Sequence, residues 1–117
     1  MEKLFNTLEV NGIKTDYKVF TAGTLAKRLL GWMFRQEPVN QGLLLSPCSS
    51  IHTFFMRFDI DVVFLDSQNK VVAKEENIQP YKIVFPVKGS IKTLELPANS
   101  IKKLSIKPGD IVTLNNL

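Results

Sequence analysis

The chain has 117 residues, 44% apolar and 22% charged, a balance that excludes disorder and suits one domain spanning 1–117. Fifteen basic against eleven acidic residues leave a net charge of +4; the basic ones are scattered, so the surplus reads as solubility before polyanion attraction. One cysteine rules out an internal disulfide, and no window approaches the ~18 apolar residues of a membrane span.

The opening MEKLFNTLEV is broken by Asn6, Thr7 and Glu9 and does not read as a secretory leader, so a cytoplasmic location with no membrane partner is expected. Residues 3–9 and 13–19 flank Asn11-Gly12, a strong hairpin signal between two apolar-alternating runs. From Thr24 the period turns helical: Leu25, Leu29, Trp32 and Met33 form one stripe, with Lys27, Arg28 and Arg35 off it. Leu43-Leu44-Leu45, stopped by Pro47, predicts a short strand buried on both faces. Thr53–Met56 and Ile60–Leu65 predict two more strands, and Asp66–Asn69 a turn into a partner strand from Lys70. Pro86 makes Tyr81–Gly89 an edge or irregular segment. Ile91–Leu96 alternates as a strand, Ala98–Leu104 follows Pro97 as a short helix, and Lys107-Pro108-Gly109-Asp110 turns into a closing strand at Ile111–Leu114. The sum is a mainly β (α+β) chain, a small β-barrel-like domain of about seven strands with two short helices packed against it.

Candidate chemistry concentrates between Cys48 and Asp61. Small residues after Pro47 predict a loop with free backbone N–H groups, and Arg57 lies among aromatics in Thr53-Phe54-Phe55-Met56-Arg57-Phe58. A guanidinium can clamp a carboxylate or phosphate in a bidentate pair or stack on a ring. Cys48, Ser49, Ser50, His52, Thr53, Arg57 and Asp61 therefore form the candidate ligand-binding set, a polar mouth over an apolar floor. Cys48 and His52, four residues apart, also admit a thiol nucleophile with an imidazole base. A metal site would draw on Cys48, His52, Asp59 and Asp61, but no doubled Cys or His motif supports one. Asp59 and Asp61 share a strand face, although acid–base work needs their ionisations driven apart. No glycine-rich phosphate loop or nucleophile elbow occurs, and no cofactor is implied.

Several stretches are similar to a known family, domain of unknown function 192. They are Lys27-Arg28-x-x-Gly31-Trp32-Met33-Phe34-Arg35, Gly42-Leu43-Leu44-Leu45, and Phe55-Met56-Arg57-x-x-Ile60-Asp61-Val62-Val63-Phe64-Leu65-Asp66. Leu94-Glu95-Leu96-Pro97 and Lys107-Pro108-Gly109-Asp110 follow in the family's order, so the resemblance spans about Tyr17 to Leu114. It implies a compact β-barrel-like domain and no established activity. Lys27 stands where the family often has an acid, Trp32 where it has a leucine, and residues 47–53 replace an aromatic-rich link. Residues 96–110 also resemble the helix-turn-strand end of swapped-hairpin DNA-binding domains, a local geometry only.

The preferred expectation is a non-enzymatic binding or accessory domain for a small anionic or polar ligand or a peptide. A thiol-dependent enzyme using Cys48 and His52 stands second. Nucleic-acid binding through Arg35, Lys102, Lys103 and Lys107 is third.

Overall fold

A computed structural model describes residues 6–22, 39–48, 50–54 and 56–115. β1 (Asn6–Val10) and β2 (Ile13–Ala22) form the first hairpin. Asn11 and Gly12 both take positive φ, 51° and 81°, as a tight turn between twisted strands requires. β3 (Gln41–Leu45) lies parallel to β2, and β5 (Ile60–Leu65) pairs antiparallel with β6 (Val71–Ile78) and with β8 (Lys92–Pro97). β9 (Val112–Asn115) returns beside β1. The main sheet runs β6-β5-β8-β3-β2-β1-β9, while β4 (Ile51–His52) and β7 (Ile83–Val84) make a separate two-stranded piece.

The sheet curls into a half-barrel. Lys70 bridges Ile111, and hydrogen bonds from Val71 N to Asp110 O (2.8 Å) and Val112 N to Asn69 O (2.9 Å) draw its two edges together at one end. The concave side holds residues from both halves of the sheet, among them Leu8, Val19, Val63, Leu94, Leu96 and Ile101. The other side carries Leu43, Leu45, Ile60, Val62 and Phe64, covered by Ile51, Met56, Phe58 and Val84 from the β4–β7 layer. Apolar cover on both faces explains why every residue of β5 is buried.

Several sequence expectations change here. The strand expected at Thr53–Met56 is not formed by its described residues: β4 ends at His52, Phe54 is in a turn, and Met56 N donates to Thr53 O. Among the described residues the strands number nine, in two sheets. Among the described residues there is one helix, α1 (Ser100–Leu104); the other expected helix, with Trp32, Met33 and Arg35, lies outside them. No described helix is long and apolar enough to cross a membrane.

Candidate functional site

The stretch after Pro47 is pinned along the start of β8. Cys48 N donates to Ile91 O (2.7 Å), and Thr93 Oγ1 donates to Cys48 O (2.9 Å). The half-buried Cys48 thiol donates to Ser50 O (2.9 Å), and His52 Nδ1 accepts from Phe54 N (3.2 Å). Thiol and imidazole thus hold separate backbone partners, and no hydrogen bond joins them among the described residues. The His52 ring lies 5.1 Å from Phe54, which in turn lies 6.3 Å from Tyr81.

Two other members of the expected set serve the fold. Thr53 is wholly buried; its Oγ1 donates to Gln79 O (2.7 Å) and accepts from Lys82 N (2.8 Å), tying the β4 turn to the segment before β7. Asp61 is buried on β5, turned away from Ile60 and Val62. One of its oxygens accepts from Asn77 N (2.9 Å) and the other from Ile101 N (2.8 Å), at the start of α1. Asp61 is therefore a helix-anchoring carboxylate and no part of a polar mouth, a correction to the sequence reading. Ser50 and Arg57 are exposed, Arg57 between the inward Met56 and Phe58 and without an ion pair among the described residues. Ser49 lies outside the described residues. Among those described, no three of His, Cys, Asp and Glu converge as metal ligands.

A groove of about 510 Å3 opens elsewhere, between the β1–β2 hairpin, α1 and the turn after it. Lys14, Lys103 and Lys107 reach it from those three elements, with Tyr17, Asp16 and Asn11 beside them. Lys103 Nζ stands 5.8 Å from the centre of the Tyr17 ring, whose hydroxyl bonds Ser100 Oγ (2.9 Å). Lys107 Nζ pairs with Asp110 Oδ1 at 3.1 Å. Lys102 and Lys103 also fall in the last turn of α1, where they offset its carbonyl end.

Glu95 is the residue that sequence reasoning passed over. It sits on β8 opposite Leu43 of β3 and Val62 of β5, is 5% exposed, and has no hydrogen-bond partner among the described residues. Desolvation pushes its carboxyl up to about 8. Alternation along Thr93-Leu94-Glu95-Leu96 suggests a solvent-facing acid; the β4–β7 layer makes that face an interior one.

The architecture defines a class, a mainly β half-barrel with a small second sheet laid on one face. Two solved structures share it: a candidate transcription regulator from Sinorhizobium meliloti 1021 (TM-score 0.85, 21% identity, 100% of this chain and 98% of that one) and a protein of unknown function from Novosphingobium aromaticivorans (0.82, 24%, 93% and 84%).

The chain belongs to the family described as Uncharacterized ACR, domain of unknown function 192, whose profile matches residues 6–114. A UPF0127 protein of Pyrococcus abyssi is 34% identical over 109 residues, covering 89% of this chain and 92% of that protein. One from Thermococcus sibiricus is 36% identical over 108 residues, 83% and 69% of the two chains. The motif resemblance is thereby confirmed, and it extends into the first hairpin.

Proposed function

We propose that this chain is a binding domain for a small anionic ligand, seated in the groove of Lys14, Lys103 and Lys107. The carrying observation is that three lysines from separate elements converge on one cavity of ligand size, about 510 Å3. The anion would meet the lysine ammonium groups, with the Tyr17 ring as an apolar side wall. A free thiol at Cys48 suits a reducing, cytoplasmic setting.

Titration with inorganic pyrophosphate, followed by amide NMR shifts, tests this reading. Lys14→Ala with Lys103→Ala should weaken binding at least tenfold, ~1.4 kcal/mol, and Arg57→Ala should leave it unchanged. The reverse pattern would move the site to the Cys48–Arg57 stretch. The Sinorhizobium relative's description as a candidate transcription regulator favours a second reading, a nucleic acid on the same lysines. A 20-mer single-stranded DNA would then bind with steep salt dependence, lost in the double-lysine variant.

A further inference from the structure

We propose that the outer face of the β4–β7 sheet is a stacking platform for single-stranded nucleic acid, whose bases lie on the Phe54, Tyr81 and Phe85 rings and whose phosphates meet Arg57 and Lys82. This face lies across the main sheet from α1 and the lysine groove, and the proposal does not depend on what that groove binds.

Strand alternation makes the face. Ile51 and Val84 pair in register and are buried in the core, so the next pair, His52 and Ile83, turns to the outside. The Phe54 ring lies 5.1 Å from His52 and 6.3 Å from Tyr81, tilted by 32° and 31°, so three rings run together across the layer. Tyr81 is 63% exposed, Ile83 55% and, two residues further on, Phe85 74%. Single apolar residues on a surface need no explanation, but a contiguous aromatic row marks a contact site.

Arg57 and Lys82 are tied to the same row. Thr53 O accepts from Tyr81 N (2.9 Å) and from Met56 N (3.3 Å), the residue before Arg57, and Thr53 Oγ1 accepts from Lys82 N (2.8 Å). Both cations are exposed, and neither pairs with a carboxylate among the described residues. Acids are missing around them. Residues 38–58 and 77–94, which supply the β4–β7 layer, contain no Asp or Glu but carry Arg57, Lys82, Lys88 and Lys92. Next along the chain, Glu76 is engaged by Lys74 (2.8 Å) and Asp59 is half-buried. His52 Nδ1 accepts from Phe54 N, which leaves Nε2–H as a further donor.

Ring faces beside positive charge, with no carboxylate to repel a polyanion, are the make-up of single-strand binding surfaces. A protein partner fits less well. With about 150–250 Å2 in a whole aromatic side chain, the exposed parts here come to roughly 500 Å2, short of the ~800 Å2 per partner of a stable protein interface. A base needs only one ring.

Fluorescence anisotropy with a labelled oligo(dT) of about 12 nucleotides is the test. It should bind at least fivefold more tightly than the duplex of the same sequence, whose bases are hidden. Tyr81→Ala and Phe85→Ala should each weaken binding at least fivefold, and Tyr81→Phe should retain it. Arg57→Ala or Lys82→Ala should each lower the slope of log K against log salt by about 0.7. Lys14→Ala with Lys103→Ala should leave affinity within about twofold, which separates this face from nucleic acid on the lysine groove. In the wild-type chain, amide NMR shifts should fall on residues 50–54 and 81–85; shifts confined to Lys14 and Lys103 would overturn the proposal. So would no binding at about 100 μM protein, duplex bound as tightly as single strand, or affinity unchanged in both ring variants. A dimer dispersed by Phe85→Ala, without oligonucleotide binding, would assign the face to self-association instead.

Discussion

Two buried carboxylates one strand apart meet opposite fates. Asp61 gives each oxygen to a backbone amide, so it joins β6 and α1 through one side chain. Removing it strands the buried Ile101 amide, which costs more than the bond itself returns, and also releases the Asn77 amide at an exposed position. Asp61→Ala should therefore destabilise the fold by about 3 kcal/mol, read as a large drop in denaturant midpoint; a midpoint within error of wild type would end the anchoring role. Glu95, on β8, has no such donors, and its ionisation is suppressed instead. Both residues occur in apolar strands of similar pattern, so their roles were not separable from local sequence. What distinguishes them is whether backbone N–H groups from distant segments point at them.

At the scale of the element, β3 is the tightest fit. It runs between β2 and β8, parallel to one and antiparallel to the other. A Cβ on Gly42 would meet Leu96 Cδ2 at 2.8 Å, Val19 Cγ2 at 3.0 Å and Glu95 O at 3.2 Å. The curl brings the neighbouring strands over this position, and a methyl there must push one of them aside. Gly42→Ala should cost about 2 kcal/mol, measured by thermal or urea unfolding, whereas a neutral result would show that the sheet opens easily there. The hairpin at Asn11-Gly12 and the turn at Asp66–Asn69 were legible because their signals are local: in the second, Asp66 Oδ1 accepts from Gln68 N and Lys70 N. The Thr53–Met56 segment was misread as a strand because Met56 packs into a covering layer and Phe54 against His52 and Tyr81, rather than into a ladder.

For the whole molecule, opposed carboxyl groups set the dependence of stability on pH. Amides of Lys70 and Gln68 hold Asp66 below the ordinary carboxylate range, and the Lys107 amide and the Asn11 side chain do the same for Asp110. Their contribution is complete above about 3.8 and is lost as pH falls through their depressed values. Glu95 acts in the other sense. Raised from 4.5 to about 8, it binds its proton more tightly in the folded chain, so stability is complete below 4.5, declines as pH rises, and levels past about 8. At 1.36 kcal/mol per pH unit the decline is bounded at roughly 5 kcal/mol. Melting curves from about pH 4 to 9 should peak at the acid end of that window, and Glu95→Gln should flatten the alkaline limb. A flat wild-type limb would mean that Glu95 ionises freely.

Patterning and turn chemistry by themselves determined the mainly β class, most strand positions, the short helix after Pro97 and the family. These depend on side-chain period and on residues that favour particular φ values, both properties of neighbours in the chain. Only tertiary structure decided which polar residues are exposed, paired or stranded. Closure of the sheet and the β4–β7 layer turned Glu95 inward and tied Thr53 and Asp61 into the framework, and the fold brought Lys14 to the same groove as the distant Lys103 and Lys107. Burial and proximity are set by which surfaces meet across the fold, and no local pattern encodes that meeting.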